Sequence, residues 1–506
     1  MLLHHAFEAS CQRLPAKTAL VCGAERVSYA DLANRVNALA TLLQARGVAR
    51  GDRVVMLLES SVEFAVGVHA VLKVGAVFVP ISPLTKADKL AYMLNDTRAC
   101  AVLTDARLEN VWRDAVARSP SVAVTVVRGL SNAEGTNLPW PDAAASAPPA
   151  ATEPCIDQDL AAIIYTSGTT GEPKGVMLTH LNMRSAWASV QAYLGLREDD
   201  VIGLALSPSF SYGLYHVLMG LGLGATVVLE GSAAFPVRLV ERLVQERVTV
   251  FPGVPTLYSA ILALGNLATF DLSSLRIVSN AAAALSDQHV RQIQALLPAA
   301  RLYSMYGMTE CKRISYLPPE QLTTRPTSVG RGLVNQEVWL VDEAGSRLPN
   351  PATGELVVRG SHVMRGYWDK PVETARRLRP GPIKGESVLH TGDIFRTDAE
   401  GWLYFVGRRD DIIKSRGEKV APREVENTIY AIDGVLDCAV IGVPDDRLGQ
   451  AVKAFVVLKP GAVLTEREVI RHCLARLENY MAPKSVVFMA DLPRTDSGKI
   501  RKLGLC

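Results

Sequence analysis

A chain of 506 residues is too long for one ordinary core and calls for at least two domains. Apolar residues make up 48% and charged residues 21%, a normal globular mixture, and 54 basic against 51 acidic residues leave a net charge of +3. That balance creates no global field towards nucleic acid or an anionic membrane, so no nucleic-acid partner is expected, while weak peripheral membrane contact stays open.

The chain opens Met1-Leu2-Leu3-His4-His5, without the basic region and long apolar core of a signal peptide. From Tyr29 to Arg46 apolar residues recur at helical spacing, and Asp52 to Leu58 then reads as a buried strand. A helix over Phe64–Val74 and a strand over Ala76–Pro80 repeat the alternation, which argues for α/β layers. The most apolar long window, Ser60 to Pro83, is interrupted by Glu63, His69 and Lys73. A membrane span needs roughly 20 apolar residues, so buried helix and strand are expected instead, in a soluble, cytoplasmic protein with no integral span.

Strand-like runs recur at Ala101–Leu103, Ala123–Val127, Leu160–Thr166, Ala225–Leu229 and Leu275–Ser279. Between Ser131 and Pro154 the composition turns to Ala, Pro and Ser, a linker or surface loop. Beyond about residue 330 shorter strands (Val338–Val341, Gly354–Arg359, Trp402–Val406) suggest a smaller β-rich subdomain. The last hundred or so residues read as a separate α+β module. In it Pro422 suits the first turn of a helix running towards Ala431, Ala439–Val443 is strand-like and Glu466–Leu477 is helical. Gly407-Arg408-Arg409-Asp410-Asp411 is a polar break between two apolar strands. The expected division is a large domain at 1–406, a hinge at 407–411 and a small mobile domain at 412–506. Eight cysteines (Cys11, Cys22, Cys100, Cys155, Cys311, Cys438, Cys473 and Cys506) form no C-x-x-C pair and no zinc-ligand spacing, which reads as free thiols in a reducing compartment.

After the apolar run Ala161–Ile164 comes YTSGTTGEPKG, Tyr165 to Gly175. Small residues after a strand let backbone N–H groups approach an anion, hydroxyls add donors, and Lys174 adds a mobile positive charge. A flexible turn would need neither the hydroxyls nor the lysine, so Thr166, Ser167, Gly168, Thr169, Thr170, Gly171 and Lys174 are read as a phosphate-binding loop. The patterns G-x-x-x-x-G-K-[ST] and G-x-G-x-x-G both fail here, which makes it a nucleotide loop of a different class.

This segment resembles the signature of the adenylate-forming superfamily, which includes acyl-CoA and aryl-CoA synthetases and peptide-synthetase adenylation domains. The resemblance covers essentially the whole chain, because further signatures follow in order. They are Tyr306-Gly307-Met308-Thr309-Glu310, Gly354-Glu355-Leu356, His390-Thr391-Gly392-Asp393, Gly407 to Lys414, and Pro493 to Lys499. It implies attack of a substrate carboxylate on the α-phosphorus of ATP, giving acyl-AMP and pyrophosphate, and then attack of a thiol on the activated carbonyl. Such chemistry needs charge neutralisation and alignment more than a protein nucleophile.

By that resemblance Lys499 bridges the carboxylate and the α-phosphate, Thr309 and Glu310 belong to the catalytic motif, and Glu310 helps to hold Mg2+, a hard ion that prefers oxygen ligands. Asp393 accepts hydrogen bonds from the ribose hydroxyls with Arg408 beside it, Tyr306 stacks on adenine, and Lys414 contacts the acyl-AMP region. Asp410 is the pivot about which the small domain turns between the two half-reactions. Gly417 then lines the entry of the pantetheine arm, although a plain left-handed turn would also suit that glycine.

Two departures bear on the substrate. Asn280 to Leu285 falls where many relatives carry Gly and Pro, which weakens adenine-side contacts there. Ser211 stands where amino-acid-activating domains place an aspartate, and an unpaired buried ammonium is costly, so ordinary α-amino acids are not expected as substrates. Trp187, Phe210, Tyr212 and Met305 are candidates for the apolar wall of the acid pocket, and general core is the alternative for each. Lys312 and Arg313 could meet a second anionic group on the substrate, contact pyrophosphate or face solvent. The sequence ends seven residues past Lys499, so the thiol is expected from outside: coenzyme A, or the phosphopantetheine of a separate carrier protein. A regulatory nucleotide-binding protein is the contrasting reading, and Glu310, Asp393 and Lys499 together argue against it.

Overall fold

The computed structural model describes the chain except residues 1, 142–153, 167–172, 231–234, 282–284, 286, 416–417, 446–447, 496–499, 503 and 506. Strand alternation decides the layering. In the strand Arg53–Leu57, Val54 and Met56 join one hydrophobic core while Val55 and Leu57 join another, because successive side chains of a strand point to opposite faces. Its parallel neighbours Val77–Ile81 and Ala101–Asp105 divide the same way: Phe78, Ala101 and Leu103 lie on the first side, Val77, Val79 and Val102 on the second. A parallel sheet buried on both faces needs helices on both. The helix Val62–Lys73 covers the first face, and Ala87–Thr97 with Glu109–Ala117 covers the second.

A second large sheet runs, in spatial order, Arg331–Gly332, Ser315–Leu317, Arg301–Tyr306, Ile277–Asn280, Val250–Gly253, Val201–Leu204, Thr226–Leu229, Thr18–Cys22 and Glu25–Ser28. Ile202, Leu204, Val250 and Ile277 share the first core with the other sheet, whereas Phe251, Val278 and Leu302 face a core of their own. The helices Leu3–Arg13, Tyr29–Ala45 and Ser211–Leu223 contribute to the shared core. Antiparallel strands Gln336–Val341, Thr353–Gly360, Ser387–Thr397 and Leu403–Arg408 build the expected β-rich subdomain. After Leu403–Arg408 a single 3-10 turn, Arg409–Asp411, leads into the small α+β domain. There the helices Pro422–Tyr430 and Glu466–Leu474 pack on one face of a sheet centred on Val435–Asp445 and Gly449–Leu458.

The α/β class with a small C-terminal domain is the one expected from sequence. Several strands were not, among them Asn137–Pro139 and Val250–Gly253. Asn137–Pro139, inside the Ala/Pro/Ser-rich stretch, pairs in parallel with Val124–Arg128 as a three-residue edge, too short to show any periodicity. Val250–Gly253 sits inside the second sheet despite Pro252, a residue that argues against a central strand. Among the described residues no helix is long and apolar enough to cross a membrane.

Candidate active site

Open α/β sheets bind ligands at the carboxyl ends of their strands, and there the strand Arg301–Tyr306 delivers Tyr306. Its hydroxyl donates to Asp393 Oδ2 at 2.5 Å, and Arg408 Nε donates to Oδ1 at 3.3 Å. Asp393 and Arg408 face each other across paired strands of the β-rich subdomain. Burial pushes the Asp393 carboxyl above the usual carboxylate range, with Arg408 and the Tyr306 hydroxyl pulling the other way. A carboxylate has about four acceptor positions, so Asp393 can still take hydrogen bonds from a ligand. The Tyr306 ring meets Phe395 edge-on at 4.8 Å between centroids.

Behind Asp393 lies a residue to which the sequence reading gave no role. Glu355, buried to 3%, accepts the Gly392 N–H at 2.8 Å and the Arg409 guanidinium at 2.7 Å, with His390 Nδ1 at 3.4 Å. Gly392 holds φ +73°, and a Cβ there would fall 2.0 Å from an Arg377 guanidinium nitrogen, so this turn requires glycine. Glu355 therefore ties the turn carrying Asp393 to the first residue of the 3-10 turn Arg409–Asp411. Burial alone would raise its carboxyl, but His390, Arg409 and the Gly392 N–H outweigh that and hold it below the ordinary 4.5. A depressed folded-state pKa contributes stability that is fully present above the unfolded value and lost as pH falls through the folded one. Glu355→Gln is thus expected to melt earlier than the parent at neutral pH, with the gap closing as pH drops below about 4.5. Thermal melts of both proteins down that pH range check it; a gap independent of pH would mean that charge is not what Glu355 supplies.

From Tyr306 the chain turns back through residues 307–314 into the antiparallel strand Ser315–Leu317. Gly307 permits the fold-back, since a Cβ there would lie 2.2 Å from the Lys312 carbonyl oxygen. Lys312 sits at φ +61°, a left-handed conformation that costs a side-chain-bearing residue roughly 1–2 kcal/mol. This turn sends the loop's charged side chains to two different places. Glu310 accepts the Tyr367 hydroxyl at 2.7 Å, and its backbone carbonyl takes the Met364 N–H. Lys174 Nζ stands 5.8 Å from the Tyr367 ring centroid. Thr166 and Lys174 pair across the strands Leu160–Thr166 and Lys174–Thr179, so the glycine-rich segment connects a β-hairpin whose flank reaches Glu310 through Tyr367. Thr309 is half-buried on the same loop.

Lys312 and Arg313 go the other way, towards the helix Ser211–Leu223. Lys312 Nζ donates to the Ser211 carbonyl and lies 4.0 Å from the Tyr215 ring centroid. The Arg313 guanidinium stacks 4.8 Å from the Tyr212 centroid. Tyr212 donates to the Ser279 carbonyl at 3.0 Å, and Tyr193 donates to Met305 Sδ at 2.7 Å. His216 Nδ1 is 2.8 Å from the Tyr212 carbonyl, which can only accept, so Nδ1 carries the proton. Burial, with Lys312 and Arg313 adding to it, pushes His216 down to about 3. This side-chain cluster thus gathers Ser211, Tyr212, Met305 and Lys312 from the sequence reading, with Phe210 at the cap of the same helix, and adds Tyr193, Tyr215, His216 and Arg313.

Trp187 is not part of it. Its indole lies against Gly222, where a Cβ would fall 2.0 Å from the ring, at the opposite end of the helix from Ser211. The general-core alternative is the one its position fits. Ser167, Gly168, Thr169, Thr170, Gly171, Gly417 and Lys499 lie outside the described residues, as do Ala282 to Ala284 and the side chains of Asp410 and Lys414.

The profile of the AMP-binding enzyme family matches residues 7–368, and that of the AMP-binding enzyme C-terminal domain matches 424–499. The chain belongs to the AMP-binding enzyme family. This AMP-binding enzyme is 36% identical over 496 residues to feruloyl-CoA synthase from Amycolatopsis sp, covering 96% of this chain and 95% of the relative. It is 31% identical to tyrocidine synthase 2 of Brevibacillus parabrevis over 99% of its own length, but spans only 14% of that protein. Its fold superposes on the anthranilate CoA ligase AuaEII in complex with anthranoyl-AMP with a TM-score of 0.91, at 28% identity, covering 100% of this chain and 96% of that one. The two matched regions of this AMP-binding enzyme flank the segment that holds Asp393, Arg408 and the turn Arg409–Asp411.

Proposed function

We propose that this enzyme activates a small carboxylic acid with ATP, releasing pyrophosphate, and passes the acyl group from acyl-AMP to the thiol of coenzyme A. It is an AMP-forming acid–thiol ligase. The observation that carries the reading is the loop after Tyr306. It sets Glu310 beside Tyr367 and the flank of the glycine-rich hairpin, while Tyr306 itself reaches the Asp393–Arg408 pair. Phosphates and ribose would then lie on one side of the loop and the acid on the other. Asp393 and Arg408 hold the ribose, Lys174 and the hydroxyls of residues 166–170 hold the outer phosphates, and Lys499 neutralises charge between carboxylate and α-phosphate.

Glu310 suits a magnesium ligand: it is buried, one oxygen takes the Tyr367 hydroxyl, and among the described residues no donor occupies the other. A bound Mg2+ would supply charge neutralisation at the phosphates. Among the described residues, the ionic side chains brought in around Ser211 are Lys312 and Arg313. They would repel an α-ammonium, so standard amino acids are expected to give no adenylation. The turn Arg409–Asp411 serves as the hinge, residues 412–506 move as a unit, and a cytoplasmic setting goes with the use of ATP and CoA.

Coenzyme A is favoured as acceptor because the CoA synthase relative matches end to end. A free-standing carrier protein is the second reading, supported by the tyrocidine synthase match. Offering the purified enzyme ATP, acid and either CoA or a phosphopantetheinylated carrier decides between them. Thioester is expected with CoA at least about 100-fold faster; faster loading of the carrier would reverse the assignment.

A further inference from the structure

Lys312 and Arg313 are 5% and 3% exposed. Buried charges are ordinarily paired and hydrogen-bonded, because taking an ion out of water costs several kcal/mol that its partners must offset. Here the pairing is missing. Among the described residues no carboxylate lies within ion-pair distance of either cation, and Arg313 Nε is buried with no acceptor. The guanidinium's contact is the face of Tyr212, and the lysine has the Tyr215 face and one backbone carbonyl. Cation–π contacts contribute roughly 0.5–2 kcal/mol, well short of replacing a carboxylate. Nor can His216 make up the difference, since it is neutral, and burial together with the neighbouring Arg313 guanidinium pushes the Lys312 ammonium well below its usual range, so the pair lacks the counter-charge that would hold both ionised.

Position 312 takes its left-handed conformation with a lysine rather than a glycine. Both cations sit in the side-chain cluster of Tyr193, Tyr212, Tyr215 and Met305, on the side of the loop away from Glu310, Tyr367 and Lys174. They are therefore placed away from the phosphate groups and against the wall where the body of the acid would lie.

Resting on the ligase reading above, we propose that Lys312 and Arg313 recognise a second carboxylate on the substrate, so that the acid activated is a dicarboxylic acid held by its far end. The distal carboxylate would supply the missing acceptor for the guanidinium and the counter-charge for the ammonium, in water-poor surroundings where such bonds are strongest. An acid without that group would leave both cations buried and unpaired, and selectivity follows from that loss.

The test is acid-dependent pyrophosphate release by the full-length enzyme with sets of acids matched in length: an alkanoic acid, its ω-hydroxy analogue and its α,ω-dicarboxylic analogue, together with benzoate and its ring-carboxylated counterparts. The dicarboxylic member of a set is expected to exceed its neutral-tailed analogues by about 100-fold or more in kcat/KM. Lys312→Met and Arg313→Met should each collapse that preference, mainly through KM, while Arg313→Lys restores part of it. Thermal melts confirm that each variant is folded; if one is not, the preference of the parent enzyme decides alone. Turnover of neutral-tailed acids in preference to dicarboxylic ones would overturn the proposal and leave the ligase standing. No release with any acid would count against the ligase reading and take this proposal with it.

Discussion

Lys499→Ala is expected to lower acid-dependent pyrophosphate release by about 1,000-fold, the scale of removing one preorganised charge from a transition state. The same variant, given preformed acyl-AMP and CoA, should make thioester within about tenfold of the parent rate, because only the first half-reaction places charge between a carboxylate and the α-phosphate. Lys499 is the last residue of the matched C-terminal domain region. A role confined to one half-reaction is what a domain turning on Arg409–Asp411 would allow, since a hinge can present the lysine for adenylation and withdraw it afterwards. Measuring the two half-reactions separately is essential. Equal losses in both would make Lys499 a structural residue of the small domain.

Asp393→Ala is the second large effect. It removes the acceptor of the Tyr306 hydroxyl and of Arg408 together, so a buried phenol loses its partner and a guanidinium loses its counter-charge. Hydrogen bonds to charged groups contribute about 1.5–3 kcal/mol each, which predicts a rise of about 100-fold in the KM for ATP. Comparing ATP with 2′-deoxy-ATP separates a ribose contact from general damage. The parent should prefer ATP strongly and the variant should show little preference. If the variant discriminated as well as the parent, Asp393 would not touch the ribose.

Much of this fold was legible because buried parallel strands leave continuous apolar runs. Leu160–Thr166 was read with the ends the structure shows, and Arg53–Leu57 and Val77–Ile81 within a residue or two. Several strands went unread, among them a three-residue edge at Asn137–Pro139, too short to show alternation, and a central strand carrying Pro252. The site divides on similar lines. Tyr306, Asp393 and Arg408 were picked from separate motifs, and the structure brings them into one hydrogen-bonded group. Glu355 went unread because its role exists only where Gly392 and Arg409, 37 and 54 positions away, meet it in space. Trp187 was grouped with Phe210, Tyr212 and Met305 as an apolar wall or general core, and the sequence alone does not say which way a helix turns a side chain. Tyr215 and His216 were passed over in an apolar helical run, where only Lys312 and Arg313 arriving from another strand end give them meaning.

The acid is activated as an adenylate before any thiol takes part. Exchange of labelled pyrophosphate into ATP, with an acid present and every thiol acceptor absent, tests it most directly. The account predicts exchange that requires the acid and proceeds without CoA, with AMP and no ADP once CoA is added. Exchange that needs CoA, or ADP and phosphate as products, would contradict it.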